Sequence, residues 1–346
     1  MIAELEGQAR LDALWRRGRE FLGCRYAILG GAMTWLSERH LVSAISNAGG
    51  FGVLACGSMT TELLDKEIAA TAEMTDKPFG VNLIVMHPDL DELAAVCIKR
   101  KVSHVVLAGG LPRKPLIESL KEGGVKVLCF APTLGIGKKL IRTGADALII
   151  EGMEAGGHTG PVATSVLAQE ILPIIRDVPI FVAGGIGRGE AIVSYLEMGA
   201  AGCQLGTRFV CATESIAHPD FKKAFIRASA RDAVLSVQLD PRFQVIPVRA
   251  LANAASRQFL EIQASVIEKF NNGEVSQEDA QLEIEHFWAG ALNRAVIKGD
   301  IENGSLMAGQ SVGMVSAEQP AIEILQELVD QAVNTLNARG AAEKED

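Results

Sequence analysis

The sequence has few aromatic residues and lacks long apolar runs. Aromatic side chains make up 5% of the 346 residues, including two tyrosines and three tryptophans. No apolar stretch approaches the length of about 18 residues that a membrane-spanning helix needs. The N-terminus, MIAELEGQARLDALWRRGREFLG, mixes charged and apolar residues and lacks the apolar centre of a signal peptide. We therefore expect no membrane association and a cytoplasmic location.

Metal-binding spacings and excess positive charge are also missing. The six cysteines are Cys24, Cys56, Cys97, Cys129, Cys203 and Cys211, and none of them lies in a CxxC or CxH pattern. Several fall inside apolar runs, which indicates buried free thiols and no metal site. The formal net charge is −9, and no basic cluster is interleaved with aromatics, so we expect no nucleic-acid partner.

What is present is a regular alternation of short apolar runs with longer segments of helical periodicity, from about residue 25 to residue 210. Such alternation indicates parallel strands joined by helices, and eight repeats predict a TIM (β/α)8 barrel whose ligand site follows the strand ends. A doubly wound open sheet is the alternative, but no GxGxxG follows the first strand. The predicted strands are Tyr26–Leu29, Gly52–Ala55, Phe79–Leu83, His104–Leu107, Lys126–Phe130, Asp146–Ile150, Ile180–Ala183 and Gly202–Leu205.

The pattern changes after residue 210 to helices without intervening strands, among them Ser256–Phe270 and a last amphipathic helix near Ala321–Ala338. We therefore predict a barrel with a C-terminal helical appendage. The expected parts are a helical lead-in over residues 1–24, the barrel over 25–215, a mainly helical region packed on it over 216–340 and a frayed charged tail over 341–346.

Two glycine-containing turns follow the seventh and eighth predicted strands, in VAGGIGRGEA and GCQLGTRF. In TIM barrels these two loops commonly bind phosphate, because glycine lets main-chain N–H groups approach the anion. Gly184 and Gly185 would supply one set of amides, and Gly206 with Thr207 the other. Tight turns without a ligand are the alternative.

The loop EGMEAGGHTGP follows the sixth strand and places His158 among small residues at the barrel mouth. A histidine there suits proton transfer near neutral pH, although a structural or merely exposed histidine is the alternative. Glu151, at the strand end, is placed to accept a hydrogen bond from a ligand. Glu154 either pairs with Glu151 as acid and base or is a solvated loop charge.

The loop LGGAMTW follows the first strand, and Gly31, Ala32 and Met33 are small or flexible enough for their backbone to lie against a flat ring. A plain turn before a helix is the alternative. Asn82, at the end of the third strand, offers an amide to the same mouth or caps a turn.

Together these motifs resemble the nitronate monooxygenase (2-nitropropane dioxygenase) superfamily and, within it, the FMN-dependent enoyl-acyl-carrier-protein reductase II group. The matching segments are GGAMTW, ISNAGGFGVL, MTDKPFGVN, EGMEAGGHTG, QLGTRFVCATESIAHPDFK and GSLMAGQSVGMV. The resemblance implies that FMN is held by the backbone of Gly31, Ala32 and Met33 and by Asn82, Gly184, Gly185, Gln204, Gly206 and Thr207. It also implies that His158 faces the flavin ring.

The sequence departs from that group at three positions. Gly30 and Ala32 stand where these reductases usually have Gln and Gly, and Leu111 stands where they often have Asn. The QAPMAG form of one class of nitronate monooxygenases is absent as well.

The function we expect is NAD(P)H-dependent reduction of an enoyl thioester through FMN, with His158 donating a proton or a hydrogen bond to the substrate. The alternatives are a nitronate monooxygenase that uses O2 with His158 as base, an NAD(P)H:quinone reductase and, outside redox chemistry, a barrel that binds another phosphate ester. The expected partner is a small-molecule or acyl-thioester substrate, and a homodimer is the candidate oligomer.

Overall fold

The computed structural model describes residues 2–243, 247–287 and 290–345. Its strands are β1 (Ile28–Gly30), β2 (Phe51–Ala55), β3 (Gly80–Ile84), β4 (His104–Ala108), β5 (Lys126–Phe130), β6 (Ala147–Glu151), β7 (Gly157–His158), β8 (Ile180–Ala183), β9 (Gly202–Leu205), β10 (Ala233–Leu235) and β11 (Val248–Leu251). The strands β1 to β6, β8 and β9 form a closed parallel barrel in that order. The predicted TIM barrel is confirmed, and each predicted strand end lies within two residues of the observed one.

The helices are α1 (Ile2–Leu14), α2 (Arg16–Leu22), α3 (Arg39–Asn47), α4 (Thr61–Met74), α5 (Leu90–Lys99), α6 (Lys114–Glu122), α7 (Leu134–Thr143), α8 (Thr164–Ile171), α9 (Gly189–Glu197), α10 (Thr207–Val210), α11 (Pro219–Arg227), α12 (Ala254–Asn271), α13 (Gln277–His286), α14 (Ala291–Val296) and α15 (Ala321–Glu345). None of these helices, within the described residues, is long and apolar enough to cross a membrane.

The barrel strands are buried on both faces, which is why their sequences are continuous apolar runs. Inside the barrel, Phe51 and Phe181 fill the interior with smaller aliphatic side chains. The N-terminal end is sealed by α2, where the Nε2 atom of His104 lies 2.9 Å from the main-chain oxygen of Phe21. Burial lowers the pKa of His104 to about 4, so this histidine is a neutral core residue without a chemical role.

The last helix belongs to the barrel rather than to the appendage, which corrects the predicted domain boundary. Helix α15 packs against α1, α3 and α9, and its Leu325 and Leu328 are fully buried in the core between strands and helices. It therefore takes the place of the eighth barrel helix. Residues 216–320 are an insertion between β9 and this helix. The helix also runs to Glu345, beyond the predicted end at Ala338, so the segment predicted as a frayed tail is helical as far as that residue.

The insertion contains strands that the sequence analysis did not predict. The strands β10 and β11 pair antiparallel, and β11 pairs antiparallel with the two-residue strand β7 of the barrel loop. Helices α12 and α13 have a small apolar core of their own, built on Phe243, Phe259 and Ile284. The expectation of helices alone is wrong. The strands leave little signal in the sequence because they are short and because β11 pairs with β7, which is distant in sequence.

The cysteines are free thiols, as the sequence indicates. Five of them are buried and Cys24 is partly buried. Burial raises the pKa of the Cys56 and Cys129 thiols to about 12, so both are protonated and inert at neutral pH.

If α15 is the eighth barrel helix, removing one of its buried side chains should destabilise the whole barrel. Leu328 is fully buried, whereas Ile322 on the same helix is 59% exposed. We expect Leu328→Ala to lower the free energy of unfolding by about 2–5 kcal/mol, through lost burial and the cavity left behind. Ile322→Ala should cost well under half of that. Urea unfolding measures both, and equal costs would contradict the assignment of α15 to the core.

Candidate active site

A cavity of about 570 Å³ lies at the C-terminal ends of the barrel strands. All eleven residues that the sequence analysis selected line this cavity: Gly31, Ala32, Met33, Asn82, Glu151, His158, Gly184, Gly185, Gln204, Gly206 and Thr207. They come from five barrel strands, β1, β3, β6, β8 and β9, or from the loops that follow them, and they converge because parallel strands of a barrel share one carboxyl edge. Their place in a single cavity is thus observed.

The turn after β8 depends on glycine for its backbone shape. Gly184 and Gly185 have φ angles of +97° and +72°, a region that favours glycine. A Cβ atom on Gly184 would lie 2.9 Å from the main-chain oxygen of Gly152. The turn itself therefore requires glycine at these two positions.

Gly206, after β9, is not constrained in this way. Its φ of −113° suits any residue, and a Cβ there would have Met33 Sδ, at 3.5 Å, as its nearest neighbour. Glycine at this position therefore leaves open space beside the cavity. The next residue, Thr207, accepts a hydrogen bond at Oγ1 from the Gly309 amide at 3.0 Å, which leaves its hydroxyl hydrogen for a ligand.

The loop after β1 is held flat against the end of β9. The Gly31 amide donates to the Leu205 oxygen at 2.8 Å, and Ser37 Oγ accepts from the Met33 amide at 2.9 Å. A Cβ on Gly31 would lie 3.1 Å from the side chain of Gln204, so the backbone approaches that side chain closely. Trp35 closes the loop with a φ of +71°, which is uncommon for a residue with a side chain.

Asn82 is oriented by the neighbouring strand. Its Nδ2 donates to the Val106 main-chain oxygen at 3.0 Å, and the residue is 6% exposed. The bond uses the amide nitrogen, so the amide oxygen is the group that can accept a hydrogen bond from a ligand.

Glu151 ends β6 as a carboxyl with no counter-charge beside it. No hydrogen bond or ion pair of its side chain is found within the described chain, and burial raises its pKa to about 7. It is therefore partly protonated at neutral pH, and it is able both to donate and to accept a hydrogen bond.

His158 is held by the insertion rather than by the barrel. It lies in β7 and pairs with Val248 of β11, while the Thr159 amide donates to the Pro247 oxygen at 3.1 Å. The surrounding atoms desolvate His158, which disfavours its charged form and lowers its pKa, so the imidazole is neutral at pH 7. It presents one N–H donor and one nitrogen acceptor.

Arg249 fastens this loop, and the sequence analysis missed it. The guanidinium is 4% exposed, with Nε donating to the Met153 oxygen at 2.9 Å and Nη1 to the Ala233 oxygen at 2.6 Å. It thereby joins the loop before His158 to β10. No local signal marks such a residue, because both of its acceptors are main-chain atoms far away in sequence.

Glu154 does not pair with Glu151 as an acid and a base. Its Oε2 accepts from the Thr164 amide at 2.9 Å and from Thr164 Oγ1 at 2.8 Å, at the first turn of α8. A carboxylate is favourable at a helix N-terminus. Glu154 is thus a helix cap and not a solvated loop charge.

The insertion also contributes to the cavity wall through the segment GSLMAGQSVGMV. Met307, Gly309 and Ser311 line the cavity, and Gly156 of the His158 loop packs closely against Ala308 and Gly309. The motif was matched by resemblance only, since nothing in its composition shows that it returns to the barrel mouth.

Comparison with known proteins agrees with this geometry. The family model described as nitronate monooxygenase matches residues 17–97 and 90–331. The chain belongs to the nitronate monooxygenase family. It is therefore an FMN-dependent oxidoreductase of that family, and the resemblance stated from the motifs is confirmed.

Individual relatives of this family member differ in their named activities. The structure of FabK from Thermotoga maritima is 36% identical, with a TM-score of 0.84, and the match covers 94% of this chain and 98% of FabK. The (3aS,4S,5R,7aS)-5-hydroxy-7a-methyl-1-oxo-octahydro-1H-indene-4-carboxyl-CoA dehydrogenase of Rhodococcus jostii is 30% identical, over 93% of this chain and 97% of that protein. The nitronate monooxygenase of Paraburkholderia phytofirmans is 28% identical, over 89% and 92%.

The residues present fit FMN. The open space beside Gly206, the free Thr207 hydroxyl hydrogen and the bare turn at Gly184 and Gly185 suit a phosphate group. Among the described residues that line the cavity, Glu151 and His158 are the ionisable side chains, so main-chain amides and hydroxyls are the groups available to that phosphate.

A carboxylate at Gly206 should prevent FMN binding. We expect Gly206→Asp to purify folded but with little flavin, because the added charge repels the phosphate, whereas Gly206→Ala should keep most of it. Flavin absorbance per protein, with circular dichroism for the fold, measures the difference. Full flavin occupancy in Gly206→Asp would place the phosphate elsewhere. Gly185→Asp is not an equivalent test, because its positive φ and a Cβ position 2.9 Å from Glu154 would strain the turn without any ligand.

Glu151 should make the flavin-free protein less stable as the pH rises. Its folded-state pKa of about 7 exceeds its ordinary value of 4.5, so the folded state retains a proton that the unfolded chain has released between these values. We expect Glu151→Gln to be more stable than the unchanged protein by about 1–3 kcal/mol at pH 8 and equal to it near pH 4.5. Exposed Glu261→Gln is the control. Parallel pH curves for all three proteins in urea unfolding would rule out a raised pKa at Glu151.

Proposed function

We propose that this protein reduces the carbon–carbon double bond of an acyl thioester, with NAD(P)H as the electron donor. The observation that carries the proposal is the charge of the cavity wall, where a neutral imidazole and a half-protonated carboxyl are the ionisable groups among the described lining residues. Such a wall suits an uncharged thioester. A nitronate is an anion, and ionised Glu151 would repel it.

The named activity of one relative supports the same substrate class. The Rhodococcus jostii dehydrogenase is named for a carboxyl-CoA, which is an acyl thioester. The resemblance to the enoyl-acyl-carrier-protein reductase II group points to thioesters as well.

In the proposed mechanism the chain's own residues bind and orient. Amides of Gly184, Gly185 and Gly206 and the hydroxyl of Thr207 would hold the FMN phosphate, and the backbone from Gly31 to Met33 would lie against the ring. The side chains of Asn82, Glu151 and Gln204 are placed to hydrogen-bond the polar edge of the ring. FMN, when bound, supplies the hydride transfer that none of these side chains can perform.

His158 is assigned to the substrate. Neutral at pH 7, it can donate its N–H to the thioester carbonyl oxygen and so stabilise the negative charge that develops there during reduction. Arg249, through the main chain of the loop, keeps the imidazole at the cavity mouth.

A second candidate is oxidation of nitroalkanes or nitronates with O2. The lowered pKa of His158 favours it, because a neutral imidazole is ready to act as a base on an uncharged nitroalkane. The two candidates, and quinone reduction, differ in the acceptor. After anaerobic reduction with NADH or NADPH, mixing with an enoyl thioester, a quinone or O2 alone identifies the acceptor that reoxidises the flavin fastest. A nitronate is an electron donor, so it is mixed with the oxidised protein instead, and reduction of the flavin is followed before O2 is added. Rapid flavin reduction by a nitronate, with reoxidation by the enoyl thioester no faster than by O2 alone, would overturn the proposal.

The choice between NADH and NADPH, the cytoplasmic location and the homodimer stay predictions. Buried free thiols support a reducing compartment.

We expect His158→Ala to keep FMN and to lose most turnover. Loss of a positioned proton or hydrogen-bond donor typically lowers the rate about a hundred- to ten-thousand-fold. Because His158 is assigned to the substrate, the loss should fall on reoxidation by the enoyl thioester and spare reduction by NAD(P)H. Stopped-flow absorbance follows the two half-reactions, with exposed His40→Ala as the control. Unchanged reoxidation in His158→Ala would make His158 a structural residue.

A further inference from the structure

A second cavity of about 310 Å³ adjoins the flavin cavity between the loops that follow β4, β5 and β6. Its walls come from the first turn of α7, the buried side of α8 and the two loops that precede these helices. Its side chains are mainly Leu111, Phe130, Pro132, Ile136, Val162 and Leu167. Among the residues assigned to the flavin or to the reacting group, only Glu151 lines this cavity.

The chemistry of the wall restricts what can occupy it. Apart from Glu151, every described side chain that lines it is apolar, and main-chain glycines complete the surface. Burial of a phosphate, a ribose or an adenine there would leave polar groups without partners, which is costly. Burial of hydrocarbon against hydrocarbon is favourable, in proportion to the apolar area removed from water.

The two cavities meet at three shared residues. Gly109, Phe130 and Glu151 line both. An occupant of the second cavity can therefore be part of a molecule whose other end lies in the flavin cavity beside His158. Such a molecule has a polar reactive group joined to an apolar body.

The side of the second cavity formed by α7, α8 and the loops before them is stiff. Pro132 and Pro161 restrict the backbone at its rim, because proline fixes φ. Ile136 lies in the first turn of α7, where its amide donates to Thr133 Oγ1 at 3.2 Å, and Leu167 is buried in α8. This side of the cavity discriminates by bulk, since it cannot widen without moving a helix, and Leu111 faces it from the loop after β4.

We propose that the second cavity binds the apolar acyl group of the thioester substrate, and that Leu111 and Ile136 limit its length. This inference rests on the proposed function for the identity of the reactive group. The thioester carbonyl lies beside His158, and the hydrocarbon chain passes Glu151 and Phe130 into the second cavity.

The test compares acyl chains of different length in the FMN-loaded protein. Ile136→Trp fills the cavity from α7, and Leu111→Trp fills it from an exposed loop position where the risk of misfolding is small. Val166→Trp is the matched control, because Val166 is 51% exposed on α8 and does not line the cavity. The substrates are the trans-2-butenoyl and trans-2-dodecenoyl thioesters of coenzyme A, with NAD(P)H as donor.

We expect kcat/KM for the dodecenoyl thioester to fall at least about tenfold in both cavity variants, because the indole occupies the volume in which several methylenes would otherwise be buried. The value for the butenoyl thioester should stay within about twofold, and Val166→Trp should resemble the unchanged protein. If either cavity variant keeps its flavin and shows an unaltered chain-length profile, the acyl site lies elsewhere and the inference is wrong.

A binding measurement separates this inference from the proposed function. Saturated dodecanoyl-CoA and butanoyl-CoA cannot be reduced, and their binding is followed through the flavin absorbance. If no enoyl thioester reoxidises the flavin, the proposed function fails, and the titration alone then decides about the cavity. Tighter binding of dodecanoyl-CoA that is lost in Ile136→Trp and Leu111→Trp supports an apolar-chain site. Equal binding of the two thioesters, or tight binding that survives both substitutions, overturns it.

Discussion

The closure of the barrel between β1 and β9 is the contact on which the site depends. The register pairs Leu29 with Gln204 and Gly30 with Leu205, and the Gly31 amide continues it with a bond to Leu205. This pairing places the loop after β1, whose backbone can lie against a flat ring, next to the turn after β9, which can hold a phosphate. A shift of one residue would turn the Gln204 side chain to the other face of the strand and separate these elements. Helix α15 is buried between α3 and α9, and its apolar side chains stabilise the same closure from outside the barrel.

The insertion between β9 and α15 holds the His158 loop in a shape that the barrel alone does not fix. A barrel loop as rich in glycine as EGMEAGGHTGP has few side chains with which to fix its own shape. Here β11 pairs with β7, Arg249 binds the loop's main chain, and Gly309 approaches both Gly156 and Thr207. The position of the histidine therefore depends on contacts between segments more than ninety residues apart. Changes in the insertion should alter chemistry at the barrel mouth without touching a catalytic group.

The electrostatics of the cavity follow from burial rather than from ion pairs. Glu151 and His158 both have their neutral forms favoured by desolvation, which shifts the two pKa values in opposite directions. The result is a wall that holds little net charge near pH 7. In the proposed function, main-chain groups at one end of the cavity would hold the FMN phosphate, and the other end would take an uncharged substrate. The adjoining apolar cavity extends this character away from the reactive centre.

The barrel and the residues around its mouth could be predicted from the sequence alone. A strand and the turn after it consist of consecutive residues, so both leave a local pattern in the sequence. The eight apolar runs could therefore be recognised together with the residues at or after their ends: the glycines, Asn82, Glu151 and His158. The three-dimensional structure was needed to show that α15 is the eighth barrel helix, that β10 and β11 exist, and that Arg249 and Gly309 hold the loops of the site. It also showed that Glu154 caps α8 and that Gly206, unlike Gly184, is free of packing constraints. For α15, β11, Arg249 and Gly309 the physical reason is the same: their energy comes from contacts with partners far away along the chain, which no local pattern records. The Glu154 cap of α8 joins residues ten positions apart, and it depends on the shape of the loop between them.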